Sequence, residues 1–223
     1  GMRSSAQMVS YELALGLAFV GPILMAGSMS LRDIVDMQKD IGWLVLYQPV
    51  GAIIFWVSAL AEVNRAPFDM PEAEQELTAG YHTEYSGMKF ALFFMAEYIK
   101  MIAVSAIAAT LFFGGYHGPF VDQLPILGPI YLFAKVFILL FGMIWVRATL
   151  PRIRYDRLMA FGWKLLLPLA LANVFFVAIG IVLQQIYGFA WLWAIPFLTT
   201  LSLLLVIYLV RRSLVSAARS WRV

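Results

Sequence analysis

The chain has 223 residues, 62% of them apolar and only 13% charged, with a mean hydropathy of +0.83. A soluble domain is nearer half apolar and a quarter charged, and a disordered chain is poorer still in apolar residues, so both classes are excluded. There is no cysteine for a disulfide, an Fe–S cluster or a thiolate zinc site, the two histidines stand 35 residues apart, and a net charge of +3 marks no nucleic-acid face.

The charges divide the chain into spans, since a bilayer core of about 30 Å takes roughly 20 apolar residues in a helix. Gly1-Met2-Arg3 leads into the first span almost at once, without the pattern of a signal peptide, and is expected to open a fragment or a product of gene splitting. Six spans are predicted, A to F, over about 6–29, 42–61, 88–113, 126–148, 162–186 and 190–211. Span C holds Glu97 and Lys100, and span D holds Lys135. Leu165–Val210 is 46 residues without a charge, and Gln184-Gln185-Ile186-Tyr187-Gly188 is read as the turn between E and F. Lipid offers no partner to bare backbone groups, so such spans are helices or a closed barrel. Long runs without period-two alternation select helices. The expected fold is all-α, a polytopic membrane helix bundle forming a single membrane domain over 1–223. No internal repeat, low-complexity linker or soluble domain is seen.

Lysine and arginine set the orientation. Arg147, Arg152, Arg154, Arg157 and Lys164 lie between D and E, and Arg211, Arg212, Arg219 and Arg222 in the tail. The C–D loop (116–123) and the E–F turn have none. Both termini and the B–C loop are therefore expected on the cytoplasmic side, and the A–B loop, with Arg32 and Lys39, outside.

The B–C loop is the informative stretch. Glu62–Met88 holds six of the 13 acidic residues: Glu62, Asp69, Glu72, Glu74, Glu76 and Glu84. Asp69-Met-Pro71-Glu72 has the form of a helix capping box, which accounts for Asp69 and Glu72 alone. Like charges held close raise one another's pKa toward the range where protons are exchanged. The cluster is read as proton handling, against a solvated structural loop.

Four motifs resemble one family in order and spacing. They are Arg3-Ser-Ser-Ala-Gln7-Met-Val-Ser10-Tyr11-Glu12, the run Glu62–Gly87, Phe90-Ala-Leu-Phe-Phe-Met-Ala-Glu97-Tyr98, and Arg147–Met159 with Trp163-Lys164-Leu-Leu-Leu-Pro168. Over about residues 3–185 the chain resembles the membrane-arm subunit 1 of respiratory complex I, the proton-pumping NADH:quinone oxidoreductase, known in bacteria as its H subunit. Members begin with further spans that carry part of the quinone chamber, and this sequence looks like the part that follows. Span F goes beyond the shortest members.

The resemblance implies a subunit that binds quinone as substrate in the cell inner membrane. FMN and Fe–S clusters would lie only in partner subunits, and no activity is expected from the chain alone. Implied partners are the hydrophilic quinone-site and Fe–S subunits, small membrane-arm subunits and lipid. Carried over residue by residue, the proton relay is Glu12, Glu62, Asp69, Glu72, Glu74, Glu76, Glu84 and Glu97, with Lys135 in the polar axis of the membrane arm. Arg65, Phe68, Tyr85, Arg152, Arg154 and Arg157 are the expected quinone-chamber and loop-ordering residues. No metal is expected. For Glu97 the structural alternative is a salt bridge to Lys100 at i,i+3. Lys135 lies about 12 Å inside span D, at 1.5 Å per residue, and is expected to need a carboxylate partner or to lose its proton. His82 is read as a loop histidine near the acids and His117 as a loop residue without chemistry. Two other readings are the equivalent subunit of a membrane-bound hydrogenase or other-donor complex, and a stand-alone ion transporter. The inverted repeats and broken helices of many transporters are not evident in the sequence.

Overall fold

A computed structural model describes residues 2–65, 67–69, 84–121, 123–188, 195–201, 203, 204 and 208. The elements in chain order are α1 (Met2–Ala26), α2 (Leu31–Ile41), α3 (Leu44–Tyr47), α4 (Pro49–Glu62), α5 (Met88–Phe112), α6 (Leu127–Thr149), α7 (Tyr155–Phe161), a π turn (Gly162–Leu166) and α8 (Leu167–Tyr187). Residues 195–201 are again helical. Among the described residues there is no strand. Among the described residues, four helices are long and apolar enough to cross a membrane: Ser5–Ala26, Met88–Phe112, Leu127–Thr149 and Tyr155–Tyr187.

The bundle is built around α1, which packs along α4 on one side and α8 on the other. Ala14 and Ala18 let the backbones come close, and Tyr11, Ile54, Phe55, Leu166 and Leu169 fill the space between. α5 and α6 pack on each other beside this trio. Their outer surface is apolar, with Phe133, Phe137, Ile138 and Phe141 all exposed, the reverse of a soluble helix pair. Of the stretch read as span F, Ile195 is buried with Val177 of α8 and Tyr47. The rest of 190–211 lies mainly outside the described residues, as do Arg211, Arg212, Arg219 and Arg222.

Three local features depart from the expected pattern. The A–B connection is a helix, α2, because Leu31, Ile34, Val35 and Gln38 recur at helical spacing and Ser30 caps it, its hydroxyl accepting from the Asp33 N–H at 3.5 Å. Gln38 is buried; its amide donates to the carbonyls of Thr110 and Leu111 at 3.0 and 3.2 Å and accepts from the Leu44 N–H at 3.2 Å. This ties α2 to the end of α5. The stretch read as span B is interrupted at Gln48 (φ −128°, ψ 59°), because Pro49 has no N–H and its ring displaces the preceding turn. Helix α4 has 14 residues, about 21 Å at 1.5 Å per residue. Span E, read from 162, continues from Tyr155 through the π turn to Tyr187 as one 33-residue helical run.

Candidate functional site

The conspicuous polar assembly lies where α4 ends and the acidic loop begins. Asn64 takes φ +57°, a left-handed conformation that asparagine tolerates and that commonly ends a helix. The turn sends Arg65 back toward α5 rather than out into solvent. Gln7 of α1 fastens it: its buried amide donates to the Ala61 carbonyl at 3.1 Å and the Phe68 carbonyl at 2.8 Å. Phe68 is buried with its ring 5.6 Å from that of Tyr11, whose hydroxyl donates to the Leu158 carbonyl at 3.0 Å. The Ile153 N–H donates to the Pro67 carbonyl at 3.1 Å, and the Trp163 indole to the Ser10 hydroxyl at 3.0 Å. The start of α1, the first part of the acidic loop and the 150–163 connection thus form one knot.

Two ion pairs adjoin it, one between α4 and α5 and the other between the turn after α4 and α5. Arg65 Nη2 lies 2.7 Å from Glu97 Oε2, as an ion pair whose angles fall short of hydrogen-bond geometry. The Arg65 side chain is 3% exposed and that of Glu97 15%. The guanidinium carbon also lies 5.3 Å from the ring centres of both Phe94 and Tyr98, a cation–π clamp from α5. Lys100 donates to Glu62 Oε1 at 2.8 Å and to the Glu62 carbonyl at 2.7 Å, capping the end of α4. The alternative of a Glu97–Lys100 pair does not hold: each takes its partner from the α4 side. Glu62 Oε2 and Arg65 Nε are buried without a hydrogen-bond partner among the described residues. The four charges neutralise in two pairs, with spare hydrogen-bonding capacity on both sides.

The other expected site residues are distributed around this knot or away from it. Glu12 is exposed on α1, and Asp69 is half-buried. Glu84 is exposed, and so is Tyr85, whose ring lies 5.0 Å from that of Phe93. Arg152 is half-buried, Arg157 exposed, and Arg154 forms an exposed pair with Asp156 at 3.2 Å. Glu72, Glu74, Glu76 and His82 lie outside the described residues.

Lys135 is at the far end of α5, not with the carboxylates. Its ammonium donates to the carbonyls of Gly115 and His117 at 2.8 and 2.7 Å and lies 5.5 Å from the centre of a Trp43 ring. Of the two expectations, a carboxylate partner or loss of the proton, the first is corrected: Gly114 and Gly115, at φ +74° and +50°, reverse the chain so that its carbonyls point at the lysine. His117, read as a residue without chemistry, bonds to Asp36 of α2 at 3.3 Å, and the Tyr116 hydroxyl donates to the same oxygen at 3.0 Å. The Tyr116 bond, then that of His117, holds the Asp36 carboxyl below the usual carboxylate range. Partial burial, then the Asp36 bond, pushes the Tyr116 hydroxyl up. Sequence reasoning missed the fastening role of Gln7. Its signal is a polar residue at i, i+3 and i+4 with Ser10 and Tyr11, on the face of α1 that packs inward.

A family model described as NADH dehydrogenase matches residues 1–178. The H subunit of NADH-quinone oxidoreductase from Protochlamydia amoebophila is 56% identical over 178 residues, covering 80% of this chain and 53% of that one. The corresponding H subunit from Deinococcus deserti is 51% identical over 211 residues, covering 91% and 53%. NADH-quinone oxidoreductase subunit 8 of Rhodothermus marinus is 52% identical over 200 residues, covering 82% and 59%. The chain spans a little over half the length of these relatives. With a match across most of its length and identities above one half, the chain belongs to the NADH dehydrogenase family.

Proposed function

We propose that the chain forms the quinone-chamber and proton-coupling part of a membrane-bound NADH:quinone oxidoreductase, acting as an enzyme subunit without a redox centre of its own. The names of its relatives give NADH as donor and quinone as acceptor, which favours this reading over a hydrogenase subunit or a free-standing transporter. Quinone is the substrate. FMN and Fe–S clusters belong to the hydrophilic partner subunits, and the remaining neighbours are small membrane-arm subunits and lipid. The membrane is the cell inner membrane, with both termini and the acidic loop on the cytoplasmic side.

The observation that carries the proposal is the set of two ion pairs where the acidic loop meets α5, Arg65–Glu97 largely buried and Glu62–Lys100 half-buried. A proton delivered to either carboxylate breaks the neutrality of its pair and shifts the balance at the other, a short distance away. Asp69, Glu72, Glu74, Glu76 and Glu84 of the loop, with Glu12 nearby on α1, supply the protons. Phe68 and Tyr85 belong to the chamber wall, and Arg65, Arg152, Arg154 and Arg157 order the acids at its mouth. Lys135, expected in the polar axis of the membrane arm, stands apart from this set and anchors the loop beyond α5 through two backbone carbonyls.

The test is Glu97→Gln and Glu62→Gln in the complete complex, with activity normalised to assembled complex on native gels. Quinone reduction and proton pumping should fall together by about tenfold, which is about 1.4 kcal/mol on the coupled step. NADH oxidation by an artificial acceptor that takes electrons upstream should be unchanged. Full assembly with wild-type pumping in both variants would sink the proposal.

A further inference from the structure

The break in the second membrane segment faces a second polar site, remote from the ion pairs. Gln48, at the break, and Asn173, in α8, are 0% and 1% exposed. Both nitrogens and both oxygens of their side-chain amides lack a hydrogen-bond partner among the described residues. Four such atoms in the apolar interior of a bundle are costly to leave bare, and amides of this kind are normally paired with protein or with ordered water.

The two side chains converge on one bare patch of backbone. A Cβ atom placed on Gly51 would lie 3.1 Å from Asn173 Nδ2 and 3.5 Å from Gln48 Oε1. On the other side, the place a side chain would take at Gly21 is filled by the Gln48 amide. Gly21 precedes Pro22 within α1, and Gln48 precedes Pro49, so two helices lack an N–H donor at this one level. The glycines let the amides lie against bare backbone, Pro22 takes one N–H out of the α1 ladder, and the amides present both donors and acceptors.

We propose that Gln48 and Asn173 hold an internal water molecule beside Gly51, bridging the α3–α4 break to α8. Burial limits the ligand. At 0–1% exposure no further membrane segment, quinone or lipid headgroup can reach these atoms, whereas a water needs only the space of about one probe sphere and two to four polar partners. A bare cation is excluded by the same count: two amide oxygens and no carboxylate leave its charge uncompensated. The water accepts from Asn173 Nδ2 and donates to Gln48 Oε1, and its second hydrogen and lone pair remain for the other amide atoms. The site makes the break a hydrated joint between α1, α4 and α8, independent of the relay assignment.

A cryo-EM map of the assembled complex at a resolution that shows ordered water tests this directly. The expected result is a solvent peak within about 2.6–3.2 Å of an amide atom of both Gln48 and Asn173. A direct Gln48–Asn173 hydrogen bond with no peak overturns the site, as does a peak touching only one of the two. In Gly51→Ala the added methyl takes the space, and the peak should vanish. A peak that persists in that variant also overturns the site as drawn. If the variant does not assemble, the wild-type map decides alone.

Discussion

The middle of α5 and its end hold cations in opposite ways. At the middle, Arg65 and Lys100 each meet a carboxylate, at 2.7 and 2.8 Å. Beyond the C-terminal end, Lys135 meets two backbone carbonyls and an indole ring. A carboxylate partner gives a neutral pair that one proton can unbalance. Carbonyl partners hold an amine whose binding also fixes the loop that supplies them. The first arrangement suits a group that changes state, and the second an anchor. The difference follows from the chain: Asn64 turns a charged loop inward, whereas Gly114 and Gly115 turn bare carbonyls inward.

Removing Arg65 should break the comparison most severely. Arg65→Ala strips Glu97 of its partner and leaves Phe94 and Tyr98 without the cation between them. Breaking a buried pair on one side costs about 3–5 kcal/mol, so assembly and thermal stability of the complex should fall sharply. Arg65→Lys should recover only part, because an ammonium cannot present a flat guanidinium to two rings. Stability of Arg65→Ala within error of wild type would show that the pair is not buried as described.

Next is Lys135→Met, which leaves two carbonyls unpaired at about 1–3 kcal/mol each. Hydrogen exchange over 114–121 should rise, with residues 61–69 unaffected. Its pumping per assembled complex should drop less than that of Glu97→Gln. A larger drop would make Lys135 a relay group rather than an anchor.

The smallest effect is expected at Asp36. Its carboxyl is held below the ordinary range by Tyr116 and then His117. A lowered folded pKa gives a contribution that is complete above the ordinary value of about 3.9 and is lost as pH falls through the lowered one. Exchange protection of α2 should therefore persist at pH 5 and weaken only below about pH 4. In Asp36→Asn that low-pH step should be absent.

The long helices were readable because hydropathy is a property of composition and length. Spans C and D, read at 88–113 and 126–148, fall on Met88–Phe112 and Leu127–Thr149. The partners of Glu97 and Lys100 were not readable, because spacing along one helix says nothing of what a second helix brings. The break at Gln48 was hidden for the opposite reason. Its flanks are apolar enough to pass as one span, and the single signal, Pro49, is also a common first residue of a helix. The A–B connection had a visible signature in Ser30, Asp33 and the apolar spacing of Leu31, Ile34 and Val35. Its charges, counted for orientation, masked it.

The π turn at Gly162–Leu166 acts as a phase shifter in the longest helix. One residue in an α-helix is worth about 100° of rotation, so the extra residue of a π turn decides which way everything beyond it faces. On one side of it Leu158 offers its carbonyl to Tyr11. On the other, Asn173 faces Gly51. Both alignments hold at once only with that residue present. Helix length there is quantised: deleting a single residue between 162 and 166 would leave composition and hydropathy almost unchanged and still rotate one of the two faces away from its partner.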